Sequence, residues 1–170
     1  MTAFATERFS TVIESPVGEL TLVASETGLL AILWENDNPA RVPLGTPIVR
    51  PGHPLLSLAE KELREYFAGT RRTFSVPLDM RGTPFRVQVW RALTRIPFGE
   101  TRTYRQLAAE VGNPKASRAV GAANGRNPIS IIVPCHRVIG SNGGLTGFAG
   151  GLERKALLLE LERPEYFSLR

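Results

Sequence analysis

The 170-residue chain holds a single cysteine, Cys135, followed at once by His136 and Arg137. The thiolate is the nucleophilic form of cysteine, and neighbouring cations favour it. The triplet therefore reads as an activated sulfur nucleophile in an electropositive setting. A small, buried and inert side chain is the competing reading of a lone cysteine. Neighbours on extended backbone point to opposite faces, so His136 is expected to reach the sulfur through a water and act as its base. A carboxylate would then hold the imidazole, as in other nucleophile–His–acid relays. Glu153, Glu160 and Glu162, in a helical segment over 152–162, are the candidates. A cysteine protease would need a histidine distant in sequence. Only His53 qualifies, and its Pro/Gly-rich surroundings read as a solvated loop.

One cysteine forbids an internal disulfide. Cys135, His53 and His136 make only three soft or borderline ligands, too few for a four-ligand zinc site, so no metal is expected. Neither a GxGxxG nor a GxxxxGK[ST] loop is present, and no cofactor is signalled. The formal charge is +5 and the sequence pI about 10.0, which suits a polyanionic partner. The cations read as spread along the chain. No apolar run reaches membrane-spanning length, and Met1–Ser10 lacks the apolar core of a secretory signal, so a cytoplasmic protein without membrane attachment is expected.

The elements that must position the sulfur follow from pattern. Ile129–Val133 has the composition of a buried strand and runs into Pro134, which fixes the backbone before Cys135. Upstream, Tyr104, Leu107, Ala108 and Val111 repeat at helical spacing up to Gly112, a natural C-terminal cap. Asn113 and Pro114 suit the N-cap and first position of a second helix. That helix places Ala116, Ala119, Val120 and Ala123 on one face, with Lys115, Arg118 and Ala122 opposite. Over about 101–124 this is a helix-turn-helix signature, although a plain αα-hairpin in a core fits the pattern too. The second helix is slim, and Arg118 is its one long cation. Such a helix suits the minor groove, which is roughly 6 Å wide, and Arg118 could fill the gap left by an extruded base.

The N-terminal third reads as a meander: Phe9–Ile13, Glu19–Ala24 and Leu29–Trp34 are strands separated by Ser15–Gly18 and Thr27-Gly28 turns. Asn36–Pro54 holds five prolines and reads as an irregular loop. A helix follows through Leu56, Ala59, Leu63, Tyr66 and Phe67, and Phe74–Leu78 is expected as a further strand. A boundary falls near 79–84. Beyond it, Phe85, Val89, Leu93 and Ile96 mark another helix.

Pro134-Cys135-His136-Arg137-Val138 resembles the active-site motif of the O6-alkylguanine-DNA alkyltransferases. The likeness extends through Gly99-Glu100, Tyr104–Ala108, Gly112–Lys115, Arg118–Gly121, Asn127-Pro128 and Gly150–Leu152 with Lys155. Ser15–Gly18 and Arg81–Phe85 resemble bacterial members. The resemblance implies an α/β, ribonuclease-H-like N-terminal domain over 1–79. A mainly α domain over 80–170 carries the helix-turn-helix. It implies irreversible, single-turnover transfer of an alkyl group from O6-alkylguanine in double-stranded DNA to Cys135 after base flipping, with O4-alkylthymine left open as a second lesion. It implies His136 as water-mediated base, Glu162 as its orienting acid, and Asn127 as the hinge linking the helix-turn-helix to the active-site strand. Tyr104 would crowd the target phosphate and reach the guanine. Arg118 would be the intercalating finger, with Lys115, Ser117 and Ala119 against the DNA. The carbonyls of Cys135 and Val138 would accept from the guanine amine, Phe148 would form a wall, the Ala149 N–H would face O6, and Lys155 would support the site. Phe148 and Ala149 stand where some relatives have tyrosine and serine. A monomer in solution is implied, with cooperative assembly on DNA left open. A non-enzymatic DNA-binding regulator and a multiple-turnover thiol hydrolase are the rival functions.

Overall fold

The computed structural model describes residues 7–145 and 147–164 and divides into two compact units, residues 1–81 and 82–170. The first unit is built on a four-stranded sheet. Strands β1 (Phe9–Ile13), β2 (Leu20–Ala24) and β3 (Leu29–Trp34) form an antiparallel meander. Strand β4 (Ile48–Val49) lies parallel to β1 at the edge, giving the order β3-β2-β1-β4. The irregular loop expected over Asn36–Pro54 thus contains a short strand. The β1–β2 turn closes with the Gly18 N–H donating to the Ser15 carbonyl at 3.0 Å, and Gly18 adopts φ +99°, where glycine avoids a steric cost.

Helix α1 (Pro54–Phe67) packs against β1, β2 and β3 through Leu56, Ala59, Leu63 and Tyr66. Val23, Leu30 and Ala31 meet Val42 and Leu44 instead. Both faces are therefore covered, and β2 and β3 are buried nearly throughout rather than alternating. His53 is buried, not solvated. It caps α1, its Nδ1 accepting from the Leu55 N–H at 3.2 Å, and its ring stacks on Phe9 at 4.6 Å. Phe74–Leu78 does not form the expected strand; only Leu78 bridges Leu29. The buried Glu62 carboxylate takes the N–H groups of Ser75 and Val76, each at 3.0 Å, that a ladder would have used. Burial works to raise the Glu62 carboxyl, but these bonds and the Ser75 hydroxyl hold it below its ordinary value.

The second unit is mainly helical. Helix α2 (Pro84–Leu93) starts at a Thr83 cap with proline at its first position. Strand β5 (Arg102–Thr103) leads into α3 (Tyr104–Glu110), whose Thr103–Gln106 capping box satisfies two orphan N–H groups reciprocally. Helix α4 (Ser117–Gly125) follows. Asn113 and Pro114 do not begin it: the Asn113 carbonyl accepts from the Ala116 N–H at 2.9 Å, closing a separate turn, and the helix starts after Ala116. Strand β6 (Val138–Ile139) pairs parallel with β5, and α5 (Leu152–Glu162) closes the described part of the unit. The core joins α2, α3 and α4, and the Trp90 indole donates to the Ala123 carbonyl at 2.8 Å.

Cations occur in both units, but the balance of charge differs between them. Residues 1–81 hold eight Lys/Arg against ten Asp/Glu; residues 82–170 hold thirteen against six. Among the described residues no helix is long and apolar enough to cross a membrane, and no cluster of three metal-ligating side chains occurs.

Candidate active site

Cys135 is not at the end of a strand. Apart from a single bridge residue, Ile129, the segment Ile129–Val133 is a compact loop of turns and not a strand, because a side chain satisfies part of its backbone. Asn127 Oδ1 accepts from the Ile129 N–H at 3.0 Å, and Asn127 Nδ2 donates to the Val133 carbonyl at 2.8 Å. The Val133 N–H closes the loop on the Ile129 carbonyl at 2.9 Å. Within it Ile131 adopts φ +76°, a left-handed conformation that a β-branched residue rarely adopts. Pro134, at φ −81° and ψ 64°, then centres an inverse γ-turn, with the Cys135 N–H donating to the Val133 carbonyl at 2.8 Å. Proline suits this position because its ring presets φ.

Cys135–Arg137 form one 3-10 turn. Successive side chains on such a turn are about 120° apart, so His136 still points away from the sulfur, for a different reason than an extended backbone would give. His136 is fully buried, and its Nε2 lies 2.8 Å from Glu162 Oε2. Glu153 and Glu160 are exposed. Glu162 also accepts from Arg137, Nε to Oε1 at 2.8 Å and Nη2 to Oε2 at 2.9 Å, while Arg137 Nη1 donates to the Ile96 carbonyl at 2.6 Å. Arg137 therefore does not create the expected electropositive field at the sulfur, because Glu162 neutralises it. The sequence shows a cation beside Cys135; only the turn shows that its guanidinium faces a carboxylate 25 residues away.

Burial acts to raise the Glu162 carboxyl, but His136 and Arg137 hold it well below the usual carboxylate range. Burial pushes the His136 imidazolium down, and its Glu162 bond only partly opposes this. Burial thus favours the neutral ring. With Nε2–H donated to the carboxylate, Nδ1 is left as an acceptor; it is buried without a protein partner.

A second cation does reach the sulfur's surroundings. Lys155, on α5, is fully buried and donates to the Val138 carbonyl at 2.7 Å. Burial pushes its ammonium down to about 8, and an anionic Cys135 pulls it back up. Cys135 itself is buried, at 4% exposure.

The other expected site residues lie as follows. Tyr104 opens α3, partly buried, with its ring against Gly121 of α4. Arg118 and Ala119 are exposed on α4, Lys115 is exposed just before it, and Ser117 is partly buried. Ala119 thus leaves the apolar face where its spacing put it. The buried face is Val120, Ala123 and Asn124, and the exposed face is Arg118, Ala119 and Ala122. Phe148 is partly buried and Ala149 exposed in the loop before α5. Asn124 had no sequence signal beyond its helical phase. It is 4% exposed, and its Nδ2 lies 3.5 Å from the Cys135 carbonyl.

Two family models account for nearly the whole chain. The ribonuclease-like domain of 6-O-methylguanine DNA methyltransferase matches residues 9–80, and the DNA-binding domain of the same family matches residues 84–164. The chain belongs to the 6-O-methylguanine DNA methyltransferase family. Among family members it is 48% identical over 162 residues to the constitutive methylated-DNA–protein-cysteine methyltransferase of Bacillus subtilis, covering 93% of this chain and 97% of that one. It is 52% identical over 153 residues to the Mycobacterium tuberculosis methylated-DNA–protein-cysteine methyltransferase, covering 89% and 90%. The crystal structure of the M. tuberculosis protein in complex with DNA superposes with a TM-score of 0.83 at 47% identity, covering 93% of both chains. The two-domain architecture of the family is thereby that of this chain.

Proposed function

We propose that the protein repairs alkylated DNA directly, moving the alkyl group from O6-alkylguanine to Cys135. The observation that carries the mechanism is the buried His136, whose Nε2 is held by Glu162 and whose Nδ1 is unpartnered in the nucleophile's turn. His136 takes the Cys135 proton through a bridging water, and Glu162 stabilises the imidazolium formed. The thiolate attacks the alkyl carbon in line. A sulfur–carbon bond forms as the carbon–O6 bond breaks, and its electron pair leaves with guanine. Tyr104 donates a proton near N3 of the departing base. The thioether product is not reversed by thiol exchange, so each molecule acts once.

Lys155 supplies the positive charge near the sulfur that Arg137 does not. The cationic residues of the second unit draw it to double-stranded DNA. Helices α3 and α4 act as a helix-turn-helix in the minor groove, where the exposed small residues of α4 permit close approach. Arg118 fills the place of the flipped nucleotide, whose extrusion costs a few kcal/mol, and Tyr104 crowds its phosphate. The Asn127 clasp links α4 to the cysteine loop. The Cys135 and Val138 carbonyls accept from the guanine amine, the Ala149 N–H faces O6, and Phe148 forms a wall. The protein works as a monomer in the cytoplasm.

Intact mass after incubation with duplex DNA containing O6-methylguanine tests this reading. One gain of about 14 Da, for one methyl, is expected, and none in Cys135→Ser. Unchanged protein mass alongside repeated product turnover rejects it.

A further inference from the structure

In the second unit, two described buried side-chain atoms lack a hydrogen-bond partner: His136 Nδ1 and Asn124 Oδ1. Both belong to groups that meet the nucleophile's turn. The proposed mechanism uses the first and leaves the second unexplained. Asn124 lies on the inward face of α4, one turn of helix beyond Val120 and beside Ala123, whose carbonyl is fixed by Trp90. The helix is therefore anchored where Asn124 projects. Its Nδ2 lies 3.5 Å from the Cys135 carbonyl, at the limit of a hydrogen bond. The opposite amide orientation would set two oxygens against each other, so the nitrogen faces the carbonyl and Oδ1 is the atom left over.

A buried amide oxygen with no partner is costly in the free protein and favours a ligand that brings an N–H. The reacting base has one. Guanine carries an exocyclic amine with two donor hydrogens, whereas hypoxanthine, otherwise the same purine, has none. We propose that Asn124 Oδ1 accepts from the exocyclic amine of the alkylated guanine, making Asn124 a specificity-determining residue. This rests on the alkyl-transfer reading above. The Cys135 and Val138 carbonyls and the Asn124 amide then form one recognition edge, with Nδ2 holding the Cys135 carbonyl in place and Oδ1 a third acceptor that shares one of the two amine hydrogens with a carbonyl. The edge is mounted jointly on α4 and on the nucleophile's turn. It is completed only when helix and turn are in register.

The test compares single-turnover transfer from duplexes bearing O6-methylguanine and O6-methylhypoxanthine, using the full chain. Wild type is expected to prefer the guanine lesion. In Asn124→Leu, which is close in size and removes the unpaired oxygen, the preference is expected to fall about tenfold, the equivalent of one neutral hydrogen bond. Asn124→Ala should lose the preference to the same degree. The ratio is taken within one preparation, so partial unfolding cancels, and a merely structural role would slow both substrates equally. Transfer that proceeds with an unchanged ratio in both variants, or a wild type indifferent to the amine, overturns the assignment of Asn124 alone. Wild type that transfers from neither duplex overturns the alkyl-transfer reading and this one with it.

Discussion

Replacing Glu162 by glutamine tests how far one carboxylate supports the site. Glu162 is 6% exposed and accepts two bonds from Arg137 and one from His136, with the Gly99 N–H at 3.4 Å. Glutamine keeps the volume but loses the charge. Its amide nitrogen must face the Arg137 guanidinium in either orientation, and His136 Nε2–H as well if it stands in place of Oε2, setting donor against donor. In the better orientation one charge-assisted bond is lost, worth roughly 1.5–3 kcal/mol, and Arg137 stays buried without its counter-charge. Breaking a buried pair from one side costs about 3–5 kcal/mol, and that is the loss expected at pH 7. The pH dependence follows from the lowered Glu162 carboxyl. Its stabilisation is complete above the unfolded carboxyl value of about 4.3 and fades as pH falls through the folded value. Wild type should therefore lose stability through this group below about pH 4.3, and Glu162→Gln should show a flatter acid limb. Urea unfolding of both proteins from pH 3 to 7 measures both quantities. A variant within about 1 kcal/mol of wild type, with the same acid limb, would refute the assignment of Glu162 as the shared partner of His136 and Arg137.

Lys155→Met should remove a titration from the stability profile. Because the folded ammonium is held at about 8, the unfolded chain binds the extra proton between about 8 and 10.4. Wild-type stability should rise relative to the variant across that window, as denaturant midpoints would show. Gly82→Ala places a methyl carbon 2.6 Å from the Trp90 ring, so a loss of about 1–3 kcal/mol is expected. Gly121→Ala meets nothing nearer than the Tyr104 ring at 3.7 Å, and a gain of up to about 1 kcal/mol is expected from helix propensity; thermal melts read both. Arg118→Ala should slow transfer from duplex DNA while leaving the reaction with a free alkylated guanine unchanged. Melting should move by less than about 0.5 kcal/mol, since Arg118 is exposed.

The meander of the first unit was legible because strand length and turn residues agree at Ser15–Gly18 and Thr27-Gly28. Helices α1 and α2 were legible from their apolar spacing. What escaped the sequence has a common cause: side chains standing in for backbone partners. Glu62 takes two ladder donors, so 74–78 is no strand. Asn127 does the same for 129–133, where a run of β-branched residues otherwise signals a strand. His53 looked solvated because cap and stacking geometry leave little mark in composition. In the site, Cys135, His136 and Glu162 were readable as types in sequence. The pairing of Arg137 with Glu162 was not, since it depends on a turn that aims consecutive side chains at one carboxylate. Asn124 was hidden among small residues whose phase on α4 alone decides which face they occupy.

The fastening of the cysteine loop is short-range. Asn127 closes it over six residues, whereas His136 waits for a partner 26 residues onward. Closing a short loop forfeits less chain entropy than closing a long one. The nucleophile's platform can thus assemble from its own neighbourhood before α5 docks, and fraying of α5 would disarm the base while leaving the sulfur seated.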